Sequence, residues 1–434
     1  MTALIALLIL MVAMVVGIPI PLSFFASAAY IVFVSGVNPL MLFSYGFNNQ
    51  NSILLLTIPL FVLAGAIIDK GGIGQKLIEG LQKRFKGSKA ALGNVTIIAC
   101  AMFGAVSGSA SATLSCIGSI MTPRLKENGY KSGHIGAVLA NSGVLGIMIP
   151  PSILMVLYAW GTGTSVLACF LATIVPGLIL IVLFSFVNTW LVRRDPDMKK
   201  FAENIGGIAQ KTQVETGKRK SALPAVMMPV LLLGSIYGGV LTATEGAAFS
   251  VLYSLLIGVF YYRKINFKIF KMSLVQAGET AGVIMVMLFS VGILSRLYVT
   301  ENLPDLILNF LTSISKSRMV ILLMVNIFMI IIGMLMDDCS GTILCGPILL
   351  PVVMALGMSP IQFAAVLSVN IGMGNVTPPT APLLYLGGRV AGADVKDMLK
   401  PVMIMIIFAW LPTLLLTTFI PELSTFLPKL LGYM

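Results

Sequence analysis

The chain is a succession of apolar runs, many about 20 residues long, separated by short polar loops. A helix needs about 20 apolar residues to cross roughly 30 Å of hydrocarbon, so each run predicts a membrane crossing. Ten crossings are predicted, over residues 2–17, 20–36, 50–69, 135–160, 166–190, 223–241, 245–262, 275–298, 361–386 and 401–420. The opening run, MTALIALLILMVAMVVGIPI, lacks a basic start and a small-residue cleavage site. It reads as the first membrane helix rather than a signal peptide.

Basic loops orient these spans. Residues 69–94 hold six Lys/Arg in an amphipathic pattern, and residues 193–221 hold eight. Short basic loops stay cytoplasmic, which puts both termini outside. A third basic loop, PRLKENGYKSGH (123–134), creates a constraint on the segment before it. VTIIACAMFGAVSGSASATLSCIGSIMT (95–122) starts and ends on the cytoplasmic side, yet its 28 residues cannot cross twice. It predicts a re-entrant helical hairpin with SGSASAT (107–113) at the tip. From Met319 a second apolar stretch carries a polar middle, DDCSGT (337–342). Its flanks fall outside, despite Lys316 and Arg318, so this hairpin enters from the opposite face.

Each hairpin is followed by an interrupted helix. NSGVLGIMIPPS (141–152) and NIGMGNVTPPT (370–380) share Gly-x-x-x-Pro-Pro, at Gly146 to Pro151 and Gly374 to Pro379. Proline removes a donor and clashes with the preceding turn. From Thr113 to Gly146 is 33 residues, and from Thr342 to Gly374 is 32. Paired hairpins and broken helices in opposite orientations are the pattern of a secondary transporter, with its sites at the repeat interface. The fold class expected is an all-α integral membrane protein, with about ten transmembrane helices and two re-entrant hairpins in an inverted repeat.

Composition narrows the function. Only 10% of residues are charged and 58% are hydrophobic, against about 25% charged in a soluble domain. The net charge of +12 lies in the orienting loops and does not call for nucleic acid. Five cysteines in apolar segments read as packing residues, and the single histidine, His134, reads as a solvated loop residue beside Lys131. There is no Walker A motif, so coupling would use an ion gradient. The two intramembrane aspartates are adjacent, which does not suit a protease, and no enzyme activity is expected.

Unwound turns and hydroxyls at mid-membrane offer oxygen ligands to a hard cation such as Na⁺, by the logic of calcium and magnesium sites. One expected site joins Ser107, Gly108, Ser109 and Ser111 to the carbonyls of Gly146, Met148 and Pro150. Its counterpart joins Asp338, Ser340 and Gly341 to Gly374 and Thr377. Thr113, Asn141, Asp337, Ser340, Thr342 and Asn375 are the substrate candidates. Carboxylates inside a membrane are costly and mark function, which singles out Asp337 and Asp338. Glu245 is expected to cap the start of a helix. Helix N-termini at the hairpin tips suit an anionic solute bearing a carboxylate.

SGSASAT, GVLGIMIPPS and GNVTPPTAP, in this order over the whole chain, resemble the large membrane subunit of tripartite ATP-independent periplasmic (TRAP) transporters. The resemblance implies an elevator-type carrier driven by Na⁺ in the bacterial inner membrane. It also implies a small four-helix membrane subunit and a periplasmic substrate-binding protein as partners. In this scheme residues 1–70 and 223–298 form the scaffold, and 71–94 and 299–318 form arm helices. Residues 95–190 and 319–422 form the two transport-domain halves, with 191–222 a cytoplasmic loop. Asn375 and DDCSG are more like the sialic-acid branch than the C4-dicarboxylate one.

Overall fold

The computed structural model describes residues 2–84, 91–195 and 220–434. Parts of the expected first arm (85–90) and of the expected cytoplasmic loop (196–219) lie outside these residues. Among the described residues the chain is helical throughout, with no strand.

The first half runs α1 (Thr2–Val15), α2 (Ile20–Ser35), α3 (Pro39–Gln50), α4 (Thr57–Lys70) and α5 (Ile73–Arg84). Hairpin 1 is α6 (Ala91–Ser107) and α7 (Ala110–Glu127). The broken helix is α8 (Ser132–Gly143), α9 (Leu145–Met148) and α10 (Ile153–Thr162), followed by α11 (Val166–Arg194). The second half runs α12 (Leu223–Tyr237), α13 (Ala243–Leu256), α14 (Phe267–Thr300) and α15 (Leu303–Ile314). Hairpin 2 is α16 (Arg318–Leu335) and α17 (Asp338–Ala355). The second break separates α18 (Pro360–Gly374) from α19 (Pro382–Ala391), and α20 (Val395–Met405), α21 (Leu411–Phe419) and α22 (Glu422–Leu430) end the chain.

Seven of these helices are long and apolar enough to cross a membrane, two of them the arms of hairpin 2, or eight if the bent α8–α10 pair counts as one. Ten crossings besides the two hairpins were expected. The difference arises because several apolar runs fold as short helices. At 1.5 Å per residue α1 and α2 are only about 21 and 24 Å long, short of the hydrocarbon thickness. The turn between them, Pro19-Ile20-Pro21, ends in the interior beside the hairpin tips. The expected crossing over 275–298 is instead the 34-residue α14. The pair α3 and α4 runs along α14 as one interrupted partner. Gln50 Nε2 donates to the Met285 carbonyl at 2.5 Å, and Ser273 Oγ to the Ala66 carbonyl at 3.4 Å.

The two halves correspond element by element. α6, α7, α8, α10 and α11 recur as α16, α17, α18, α19 and α20 at offsets of 227 to 229 residues, judged by where each element starts, and the single turn α9 has no counterpart. Their orientation follows from the broken span, which bends by 46° and does not fold back. Its start lies at the open end of hairpin 1, where Gly133 packs on the Asp397 backbone. Its end lies at the open end of hairpin 2, where Tyr158 Oη donates to the Pro360 carbonyl at 2.7 Å. The hairpins therefore enter from opposite faces. The halves also interlock: α10 packs on α17 of the second half, and α19 packs on α7 of the first.

Polar side chains are paired at depth. His134 corrects an expectation: it lies in α8, buried, with Nε2 2.9 Å from Asn188 Oδ1. Asn188 Nδ2 in turn donates to Asn94 Oδ1 at 2.7 Å, and Asn94 Nδ2 to Thr189 Oγ1 at 3.0 Å. The apolar positions around His134 form the helix face, and Lys131 is the N-cap residue. His134→Leu removes a buried hydrogen bond to the Asn188 amide, at a cost of about 0.5–1.5 kcal/mol. A lower melting temperature of the detergent-solubilised protein, with transport per folded molecule retained, is the expected outcome. Glu245 does cap a helix: with Thr242 it completes a capping box at the start of α13.

Candidate functional site

Both hairpin tips and the second break meet at one cavity of about 590 Å³, a volume typical of small-molecule sites. Tip 1 contributes Gly108, Ser109 and Ser111, and tip 2 contributes Asp337, Asp338 and Cys339. Ile153 and Leu154 at the start of α10, and Asn375, Pro382 and Leu383 around the start of α19, complete the wall on that side. The opposite wall belongs to the expected scaffold: Pro19–Pro21, Val62 of α4, and Thr280, Val283, Ile284 and Met287 of α14. The α1–α2 turn and this face of α14 were not read as site residues. The Pro-Ile-Pro of 19–21 was the available signal.

Four helices, α7, α10, α17 and α19, begin at this cavity. Each directs the positive end of its dipole at the cavity. Ser109 caps α7 by accepting from Ala112 N at 3.4 Å, and Asp337 caps α17 by accepting from Cys339 N at 3.1 Å.

Tip 1 is closed on itself. Gly108 adopts a left-handed backbone (φ +62°) that turns the chain. Ser107 Oγ lies 3.1 Å from Thr113 Oγ1, which donates to the Ser109 carbonyl at 2.7 Å. Thr113 is thus buried within the tip and does not line the cavity, whereas Ser111 is exposed and does. The Gly108 carbonyl accepts from Ile153 N at 3.3 Å, joining tip 1 to α10. Gly146 lies against the tip: a Cβ there would sit 2.4 Å from Thr113 Oγ1 and 2.5 Å from the Ser109 carbonyl oxygen. Met148 is buried, with Ser368 Oγ 3.0 Å from its sulfur, and Pro150 joins Pro151 through a cis bond, as Pro378 joins Pro379.

Tip 2 is charged. The Asp337, Asp338 and Cys339 ligand atoms lie within 4.8 Å of one another. Asp337 accepts from the Cys339 amide and from Ser340 Oγ. Asp338 accepts from the Cys339 amide at 3.2 Å. Thr342 is buried behind the tip, and its hydroxyl has no hydrogen-bond partner among the described residues. Gly341 packs against Ile371, and Gly374 against the Gly333 backbone. Thr377 Oγ1 donates to the Met373 carbonyl at 2.6 Å, which ties it to its own helix end. Asn375, with its amide nitrogen toward the acceptors, donates to the Gly333 and Met336 carbonyls at 3.1 Å each. Asn141 lies away from the cavity, its Oδ1 accepting from Trp410 Nε1 at 2.8 Å.

The two repeats share a glycine contact that sequence reading missed. Gly104 meets Gly146 in the first, and Gly333 meets Gly374 in the second, in each case between hairpin and broken helix. Gly104 and Gly333 stand 229 residues apart, so the repeat offset itself was the signal.

Two hairpin tips and two helix breaks around one cavity are the arrangement of an all-helical membrane carrier. The chain belongs to the DctM-component family of tripartite ATP-independent periplasmic transporters, whose family model matches residues 6–423. It is similar to the C4-dicarboxylate TRAP transporter large permease protein DctM of Pseudomonas aeruginosa, 32% identical, covering 89% of this chain and 88% of that one. A sialic acid TRAP transporter large permease protein, SiaM of Vibrio cholerae, is 26% identical over 96% of both chains. An isethionate TRAP transporter permease protein, DctMQ of Oleidesulfovibrio alaskensis, is 30% identical over 95% of this chain, which spans 64% of that relative's length. Among solved structures, the Alcanivorax borkumensis YdaH transporter superposes with a TM-score of 0.57, 14% identity, and coverage of 88% of this chain and 90% of that one. At that identity the likeness concerns the fold.

Proposed function

We propose that this multi-pass membrane protein couples Na⁺ entry to uptake of an organic acid across a bacterial inner membrane. The observation that carries the reading is the convergence of four helix N-termini on one cavity beside a carboxylate-bearing tip. The N-termini suit the anion. Asp338, with a single backbone donor, and the unpaired Thr342 hydroxyl behind it suit a small hard cation. Tip 1 offers neutral oxygens that already satisfy one another, so tip 2 is the better cation site. Residues 95–190 and 319–422 would move as one transport domain against the scaffold, the interlock of α10 with α17 and α19 with α7 holding them together. A small four-helix membrane subunit and a periplasmic binding protein complete the system.

On substrate, a C4-dicarboxylate is favoured over sialic acid. The Asn375 amide, which suggested a polyhydroxylated acid, is committed to two backbone carbonyls. Relatives at 30–32% identity carry C4-dicarboxylate in their names, against 26% for the sialic acid relative. The test is uptake of labelled succinate and of labelled N-acetylneuraminate into proteoliposomes holding permease, small subunit and binding protein. Uptake is expected only with an inward Na⁺ gradient, with succinate carried in preference. Uptake unaffected by removal of Na⁺ would overturn the coupling, and preference for N-acetylneuraminate would overturn the substrate.

A further inference from the structure

The cavity wall continues toward one face of the protein only. On α7, Ser111, Ser115 and Ser119 are exposed at four-residue spacing, which aligns them on one stripe. On the neighbouring α19, Pro382, Tyr385 and Arg389 are exposed along a second stripe. Ser111 and Pro382 line the cavity. The two helices lie side by side, with Gly118 packed on Val390 and the Lys126 ammonium close to Gly392, so the stripes run together to the open end of hairpin 1.

The matching surface of the second repeat is largely closed. At the equivalent positions Ser340, Leu344 and Ile348 on α17 and Ile153 and Val156 on α10 are buried, and the counterpart of Arg389 is the half-buried Trp160. There α17 packs on α14 and α15, and α10 on α4. The structure is therefore open from the cavity toward the hairpin 1 face and sealed toward the other. A row of hydroxyls and a guanidinium running from the cavity wall to the open end of hairpin 1 suits a water-filled passage.

We propose that Ser115, Ser119, Tyr385 and Arg389 form a second, transient binding station for the carboxylate on its way between the cavity and the hairpin 1 face. Arg389 is its anchor. The guanidinium has no ion-pair partner among the described residues, and it offers a planar fork of donors matched to a carboxylate. Along the roughly 10 Å that separate Arg389 from the start of α19, the Tyr385 hydroxyl donates to the Pro379 carbonyl at 2.9 Å and the Ser119 hydroxyl to the Cys116 carbonyl at 2.8 Å, which leaves their lone pairs to hold water beside the carboxylate. The station rests on the organic-acid reading above, but its accessibility does not.

Two measurements test it in the reconstituted complex. First, Ser115→Cys and Ser119→Cys are treated with a membrane-impermeant maleimide from the hairpin 1 side, and labelled peptides are identified by mass. Both should label from that side. Failure of both to label would show a packed or lipid-facing stripe and overturn the passage. Second, efflux of preloaded succinate and N-acetylneuraminate is compared with uptake delivered by the binding protein. Arg389→Gln should raise the substrate concentration for half-maximal efflux about tenfold or more while leaving that for uptake within about twofold. Arg389→Lys should recover part of the loss. Equal effects in both directions, or none, would overturn the station. Absence of transport in the unaltered protein would instead count against the proposed function.

Discussion

Asp338→Asn is expected to lower coupled uptake at least about tenfold while the protein folds normally. Two adjacent aspartates stand at tip 2, but the structure divides their work. Asp337 is the N-cap of α17 and takes both the Cys339 amide and the Ser340 hydroxyl. Asparagine caps as well as aspartate, so Asp337→Asn keeps the helix start and loses little. Asp338 has one backbone donor and faces the cavity. Its negative charge is costly there without a cation, and removing the charge removes the reason for a cation to bind. Uptake by Asp338→Asn is expected to fall at least about tenfold, the effect of losing one charge-assisted interaction of roughly 1.5–3 kcal/mol. Half-saturation by Na⁺ should move upward, measured as initial rates across a Na⁺ series. Unchanged rates and unchanged Na⁺ dependence would reduce Asp338 to part of the cap.

Gly374→Ala removes folded protein from the membrane. A Cβ at this position would lie 2.6 Å from two Gly333 backbone atoms and 2.7 Å from the Ile330 carbonyl oxygen. Backbone cannot swing aside as a side-chain end does, so hairpin 2 and the broken helix would have to separate. Overpacking of this kind costs typically 1–3 kcal/mol and more where backbone must shift. The separation would also carry Asn375 away from the Gly333 and Met336 carbonyls. Gly146→Ala meets Thr113 Oγ1 and the Ser109 carbonyl in the same way. Both variants should show a lower yield of monodisperse protein in size-exclusion chromatography and a depressed melting temperature. Gly278→Ala, with open space around it, is the control and should behave as wild type.

Much of this arrangement was legible in the sequence because the constraints were severe. A 28-residue apolar segment with basic loops at both ends had to turn back, and a doubled Pro-Pro motif had to break a helix. The turns at Gly108–Ser109 and Met336–Asp337 fall at the leading edges of the expected tips, 107–113 and 337–342, whose remaining residues open α7 and α17. Side-chain roles were less legible. Thr113, Asn141 and Thr377 carry the right chemistry, but each turns toward a local carbonyl or an indole in preference to the cavity. His134 sits in a polar stretch of sequence, and only the arrival of Asn188 from α11 makes it interior. The scaffold was least legible, since length alone does not distinguish a crossing from two short helices such as α1 and α2.

The interlocked repeats also impose a schedule on biosynthesis. Hairpin 1, ending at Glu127, leaves the ribosome some 264 residues before α19, which packs on it, is complete at Ala391. At about 5–20 residues per second, α7 waits roughly 13–53 s for α19. During that interval the face of α7 around Gly118, which α19 covers through Val390, has no partner, and only the insertion machinery or a chaperone stands between it and lipid. Slowing translation within the second half should therefore raise the fraction of chains degraded, even though every residue of the first is already in place.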